Sequence, residues 1–319
     1  MNLFNYNMRT NILNGDVRHI LPNLPDNHFD CVVTSPPYWG LRDYGVEGQI
    51  GLEPTLAEHL SIMVNLFNEV RRVLKPSGTC WINYGDCYAT TPNGRSAANT
   101  KTVGKDDRTF RDKPFSTIQG VLKPKDLCMV SNRLAIALQE SGWYVRSEII
   151  WHKPNPMPES VRDRPTSAHE KVWLLTKSPK YYYDADAIRE EHSGASISRV
   201  KYLINSYAGR QTEQGERGAK ISQGGSAKNI ELNPLGANSR NVWSITTKPF
   251  KGAHFATMPP ELAARCIKAG CPVGGEVLDP FGGAGTTGLV ANQLQRNATL
   301  IELNTEYINL AQQRIEAAE

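Results

Sequence analysis

The feature that most constrains this chain is a glycine-rich turn near its C-terminal end, Asp279-Pro280-Phe281-Gly282-Gly283-Ala284-Gly285-Thr286-Thr287-Gly288. A short apolar run, 276–279, leads into it, and a helix-patterned stretch, 285–294, leads out. Glycines at such a turn let the backbone approach a ligand closely and adopt positive φ without strain. The next apolar run, 298–302, ends on Glu302, 19 residues beyond Gly283. A carboxylate at that offset can accept hydrogen bonds from both hydroxyls of a ribose. Strand, glycine turn, helix, strand and acid together ask for a nucleoside-bearing cofactor on an open α/β sheet.

Two cofactor classes satisfy that demand. Gly283-x-Gly285-x-x-Gly288 formally matches the dinucleotide fingerprint, which keeps a nicotinamide-dependent oxidoreductase open. Against it, Asp279-Pro280-Phe281 interrupts the open turn that a pyrophosphate favours, and a single complete strand–helix–strand unit follows where a dinucleotide fold needs two. S-adenosylmethionine has no phosphate and carries an ammonium that an acid such as Asp279 can help hold.

The rest of the chain supplies the other strands. Apolar runs at 11–13, 29–34, 79–84, 144–151 and 171–176 bring the expected total to seven, alternating with helical patterns at 56–74, 126–141, 259–269 and 305–315. The predicted fold is one doubly wound, largely parallel sheet. Two polar excursions interrupt it. Residues 86–126 hold eight Lys/Arg against five Asp/Glu with no apolar period, and 187–240 is rich in Gly, Ser, Asn and Gln. A structureless linker of that second length is unusual inside a compact domain, so 187–240 is expected to carry a function.

Composition excludes several classes. With 39% hydrophobic and 21% charged residues the chain is neither disordered nor membrane-embedded, and no apolar run reaches the roughly 18 residues of a bilayer span. The start shows no export signal, so the expected location is cytoplasmic. Six scattered cysteines without a C-x-x-C pair argue against zinc and against a disulfide framework; no metal is expected. A net charge of +4 permits a polyanionic partner without demanding one.

The second chemical motif follows the strand at 29–34: Thr34-Ser35-Pro36-Pro37-Tyr38-Trp39. Two successive prolines make the turn stiff and aim its carbonyls. Tyr38 can stack on a planar base while Ser35 and the Pro36 carbonyl accept from an exocyclic amine. Such an amine is a poor nucleophile, because its lone pair is delocalised into the ring. Two acceptors on its hydrogens favour a tetrahedral nitrogen whose lone pair points at a methyl donor.

Taken together, T-S-P-P-Y, R-V-L-K-P-S-G, I-I-W-H-K-P-N-P-M-P-E-S, D-P-F-x-G-x-G-T-T and I-E-L-N, in this order, resemble the amino-methyltransferases of DNA over nearly the whole chain. These enzymes modify N4 of cytosine or N6 of adenine. The catalytic turn precedes the cofactor loop, the order of the beta group. The resemblance therefore implies a Rossmann-like, seven-stranded, circularly permuted S-adenosylmethionine-dependent methyltransferase sheet. Residues 1–186 would form its catalytic half, 241–319 its cofactor half, and 187–240 a loop-rich target-recognition insertion between them.

Carried over by resemblance, Ser35, Pro36, Pro37 and Tyr38 form the catalytic turn. Phe281, Gly283 and Gly285 line the donor pocket, Glu302 holds the ribose, and Asp279 lies near the methionine end. His254, Phe255 and Thr257 match a segment that closes over the cofactor, and Asp16 a Gly-Asp pair that approaches the adenine ring. The implied partner is double-stranded DNA, with the target base flipped out of the stack. Serine ahead of Pro-Pro goes with cytosine N4 more often than with adenine N6. Carbon-5 chemistry is disfavoured, since Cys271-Pro272 is reversed and outside the turn. A non-catalytic DNA-binding module is the other alternative. The recognised sequence, the oligomeric state and any companion restriction endonuclease are not legible from these motifs.

Overall fold

The computed structural model describes residues 8–41, 43–91, 115–202, 232–247 and 258–318. The chain separates into two compact units, Met1–Asp184 with Asn241–Glu319, and Ala185–Arg240.

In the first unit every apolar run singled out above becomes a strand: β1 (Thr10–Asn14), β2 (Phe29–Thr34), β3 (Leu74–Tyr84), β4 (Tyr144–His152), β5 (His169–Thr176), β7 (Glu276–Asp279) and β8 (Asn297–Glu302). An eighth, β6 (Val242–Ser244), lies at the sheet edge beside β4. Three residues are too few to show a period, so the expected count of seven falls one short. The order is β1-β8-β7-β2-β3-β5-β4-β6. From β1 to β3 all neighbours are parallel, whereas β5 runs antiparallel to both β3 and β4.

β2 and β7 are adjacent and in register, Cys31 opposite Val277 and Val32 opposite Leu278. From β2 the chain winds towards β3, and from β7 towards β8. The pair is therefore the switch point of the sheet, the place where open α/β folds leave a crevice beyond the strand ends.

Among the described residues of the first unit the helices are α1 (Val17–Ile20), α2 (Leu56–Val73), α3 (Val130–Glu140), α4 (Pro260–Gly270), α5 (Thr286–Gln293) and α6 (Thr305–Glu316). Thr55 and Glu58 start α2 with a reciprocal capping box. Its buried residues Leu56, His59, Met63, Leu66, Phe67, Val70 and Val73 follow the 3.6-residue period. Met63 and Phe67 are fully enclosed, each contributing about 1.5–3 kcal/mol of burial. The 75–78 segment, expected to separate α2 from the next strand, is instead part of β3. Pairing steps from Phe29–Leu74 to Cys31–Thr79, so Lys75 to Gly78 drop out of the ladder to β2, Pro76 and Ser77 lie exposed, and Pro76 needs no ladder partner there.

The two ends of the basic excursion are stapled together. Tyr88 bridges Leu127, Ala89 N donates to Asp126 O at 2.8 Å, and Lys125 N donates to Ala89 O at 2.8 Å. Residues 92–114 lie outside the described residues. In the second unit the described ends also pair. Glu190 bridges Ala237, and the Arg189 guanidinium donates to Asp186, to Gly236 O and to Asn238. Residues 203–231 lie outside the described residues. Among the described residues no helix is long and apolar enough to cross a membrane.

All six cysteines are buried, and burial pushes the thiols of Cys31, Cys80, Cys266 and Cys271 up. Ellman's reagent is expected to label none of them in the native protein and all six on denaturation. Labelling of a thiol within the mixing time under native conditions would contradict the packing described.

Candidate active site

The turn after β2 is held from behind. Trp39 N donates to the Tyr84 hydroxyl at 3.0 Å, and that hydroxyl lies 3.3 Å from Pro37 O. Tyr84 OH is 2.7 Å from His59 Nε2, and His59 Nδ1 is 2.7 Å from Glu53 Oε2. His59 is fully buried, so a polar chain inside the core fixes the carbonyl and amide that flank Tyr38.

The Tyr38 ring is also fixed. It lies 4.7 Å from the Tyr84 ring, centroid to centroid, and a Cβ on Gly85 would come within 2.5 Å of its Cε2. Only glycine allows that approach. Its hydroxyl donates to Glu170 Oε2 at 2.8 Å. Burial and, after it, the Glu170 charge raise the Tyr38 pKa well above that of an ordinary tyrosine.

The turn after β7 is organised by Asp279. Its Oδ1 accepts from Thr34 Oγ1 at 2.7 Å and from Phe281 N at 3.0 Å, and its Oδ2 accepts from Thr287 Oγ1 at 2.7 Å. Thr34 ends β2, so this carboxylate joins the Ser-Pro-Pro-Tyr turn to the glycine turn. Burial raises its pKa despite the three donors. Glu302, at the end of β8, accepts from Gly283 N at 2.8 Å on Oε2 and from Asn304 N at 2.8 Å on Oε1. Burial raises its pKa too.

The two turns share one cavity of about 380 Å³. Of the residues expected at the site, Asp16, Ser35, Pro36, Pro37, Tyr38, Asp279, Phe281, Gly283 and Glu302 line it. Gly285 does not. Its φ is +76°, and a Cβ there would sit 2.7 Å from Ala311 Cβ, so this glycine serves the packing of α5 on α6. Asp16 caps α1 through Arg18 N and forms a two-pronged ion pair with the Arg18 guanidinium. His254, Phe255 and Thr257 lie outside the described residues.

Asn83, Trp151, Lys153 and Glu170 complete the wall near Tyr38, and Asn304 and Tyr307 the wall near Glu302. None of these was singled out from sequence. Lys153 sits within the I-I-W-H-K-P stretch, but Glu170 is a lone acid at the start of a strand with no pattern to mark it.

The cavity suits a nucleoside cofactor. Each Glu302 oxygen keeps a further lone pair after its backbone partner, enough for a ribose diol. The volume falls in the range of ligand pockets. Fold and site thus define a nucleoside-cofactor enzyme acting at the switch point of a permuted α/β sheet.

Comparison with known proteins names the class. The profile described as DNA methylase, of the N6/N4 methyltransferase family, matches residues 29–313. The chain is 45% identical over 304 residues to the type II methyltransferase M.SmaI of Serratia marcescens, covering 95% of this chain and 90% of that protein. It is 43% identical over 305 residues to M.Cfr9I of Citrobacter freundii, covering 96% and 87%. The fold matches the PvuII cytosine-N4-specific DNA methyltransferase with a TM-score of 0.62 at 18% identity, over 96% of this chain and 86% of that one. It also matches TTHA0409, a putative DNA modification methylase of Thermus thermophilus in complex with S-adenosyl-L-methionine, with a TM-score of 0.57 at 20% identity, over 97% and 95%.

The chain belongs to the N4/N6 DNA methylase family: it is a DNA methyltransferase whose cofactor is S-adenosylmethionine. That membership removes the oxidoreductase and the non-catalytic module.

Asp279 carries a stability consequence. A carboxylate whose folded pKa is raised favours the folded state most below its unfolded value, and that contribution is lost as pH rises through the folded pKa. At neutral pH its burial is therefore a net cost. Asp279→Asn keeps an oxygen for Thr34 and Phe281, offers Thr287 an N–H, and removes the charge. The variant is expected to melt at or above the wild-type temperature at pH 7.5 in the absence of cofactor. A fall of several degrees would contradict this account.

Proposed function

We propose that this enzyme methylates N4 of a cytosine turned out of a DNA duplex, by direct transfer with no covalent enzyme intermediate. The observation that carries the reading is the single cavity shared by Ser35, Pro36 and Tyr38 with Phe281, Gly283 and Glu302. The bound cofactor supplies an electrophilic methyl group on a sulfonium. Glu302 accepts from its ribose, and Asp279 offers the methionine ammonium the lone pair left on Oδ2. Phe281, Gly283 and Asp16 flank the nucleoside; His254, Phe255 and Thr257, matched to the cofactor-closing segment by resemblance alone, lie outside the described residues.

Tyr38, packed against Gly85 and Tyr84, is positioned to stack on the base. Ser35 Oγ and the Pro36 carbonyl accept from the amine, which keeps its lone pair out of the ring and aimed at the methyl carbon. Among the described residues no cysteine lines the cavity, in keeping with direct transfer. A hydroxyl rather than a carboxylate ahead of Pro-Pro supports cytosine.

The second unit, Ala185–Arg240, falls in the chain between the catalytic and cofactor turns. We assign it target recognition; from 189 to 240 it carries eight Lys/Arg against five Asp/Glu, a balance suited to a DNA backbone. The reading places the enzyme in the cytoplasm, and a restriction endonuclease of the same specificity is a fitting companion.

Unmethylated bacterial DNA treated with the enzyme, digested to nucleosides and weighed, is expected to contain N4-methyldeoxycytidine; N6-methyldeoxyadenosine alone would overturn the choice of base. Ser35→Ala is expected to lower kcat by about a hundredfold while cofactor affinity stays within about twofold, since one hydrogen bond to a remote group is worth little. Glu302→Gln and Asp279→Asn are expected to do the reverse, weakening cofactor binding by about tenfold in calorimetric titration. Unaltered binding in both would remove them from the cofactor site.

A further inference from the structure

We propose that Glu170 sets the direction of the hydrogen bonds at the catalytic turn, so that Ser35 presents lone pairs rather than its proton to the target amine. The proposal rests on the reading of Ser35 as an amine acceptor and names what makes it one. A hydroxyl can donate or accept with equal ease. To serve as an acceptor, Ser35 must have its own proton engaged elsewhere.

The neighbours of Tyr38 decide the matter. The phenol has one proton, and its side-chain partners are Glu170 Oε2 at 2.8 Å, Ser35 Oγ at 3.4 Å and Asn83 Oδ1 at 3.5 Å. A carboxylate has no proton to give. The Asn83 amide is oriented by its own donors, since Nδ2 gives one hydrogen to Glu170 Oε2 at 3.0 Å and one to Lys171 O at 3.2 Å. Its oxygen therefore faces the phenol, as a second pure acceptor.

The phenol proton goes to Glu170, at the shortest of the three distances. Burial and the Glu170 charge both raise the Tyr38 pKa, so that proton stays in place. With its proton given to Glu170, the phenolic oxygen is left to receive. Ser35 can bond to Tyr38 in one sense alone, by donating. Its lone pairs are left free at the wall of the cavity that both residues line.

Glu170 is held in turn. It lies on β5 opposite Trp151 of β4, and its Oε1 pairs with Lys153 Nζ, which sits 4.4 Å from the Trp151 ring centroid. The strand that runs against its neighbours thus delivers an acid to the back of the catalytic turn. Glu170 also lines the cavity, but the role assigned to it acts through Tyr38 and Ser35, which makes it a positioning residue.

The full chain is assayed with unmethylated bacterial chromosomal DNA and tritiated S-adenosylmethionine, as wild type, Tyr38→Phe, Glu170→Gln and the double variant. The amide of Glu170→Gln can turn an N–H towards the phenol, and Tyr38→Phe removes the oxygen that takes the Ser35 proton. Each is expected to lower kcat by about ten- to a hundredfold, with KM for DNA and the cofactor Kd within about threefold. The double variant is expected to fall no further than the worse single one, because both break one chain.

Unchanged kcat in either single variant, or losses that multiply in the double, overturns the proposal while the wild type remains active. If Glu170→Gln fails to bind cofactor or to fold, Tyr38→Phe decides alone, since it removes a single oxygen. A wild type that methylates no DNA overturns the functional reading and this proposal with it. An N6-methyladenine product leaves the polarity argument standing, because both amines need the same acceptors.

Discussion

A buried carboxylate at the ends of two neighbouring strands is the constraint on which the site depends. Asp279 accepts from Thr34, the last residue of β2, and from Thr287, on the first turn of α5. Parallel strands in one sheet lie about 4.8 Å apart, so turns leaving the same edge of β2 and β7 are within reach of each other. The carboxylate converts reach into a fixed relation. Burying it carries a desolvation penalty that the three donors only partly offset, which is why its pKa remains raised. The proposed place of Asp279 beside the cationic methionine end of the cofactor gives that charge a use.

Rigidity behind the catalytic turn comes from a second polar system. Prolines restrict φ at two positions, but they do not say where the Pro37 carbonyl or the Trp39 amide points. Tyr84 does, and His59 and Glu53 hold Tyr84. On the other side Glu170, Asn83 and Lys153 hold Tyr38. The aromatic ring and hydroxyl of the S-P-P-Y turn are thus set by residues on β3, β5 and α2 and by Lys153, just past β4. Groups fixed in this way need no reorganisation when a ligand binds, which is what the proposed role of the turn requires.

Strands were the most legible part of the sequence, because a β-branched run bounded by proline or glycine has one reading. Phe29 to Thr34 and Glu276 to Asp279 are strands as expected. β6 escaped notice because three residues show no period. β3 was cut short because Pro76 and Gly78 look like a terminus, whereas in the sheet they drop out of the ladder to β2 within a continuing strand. At the site, the residues with local signatures were readable: the two-proline turn, the glycine turn, and an acid at a set offset. Gly285 belonged to the motif but serves packing, since a pattern does not distinguish a glycine needed by a ligand from one needed by Ala311.

Local chemistry, then, determined the two turns, the acid that ends β8 and the alternation of strands and helices, because each depends on residues close together in the chain. Tertiary structure alone decided that Glu170, 132 positions from Tyr38, would accept its hydrogen bond, and that Thr34 would meet Asp279 across 245 positions. Those contacts follow from the order in which strands join the sheet and from the reversal of β5. A hydrogen bond between distant residues exists only once the backbone has brought them together, so no spacing in the chain announces it.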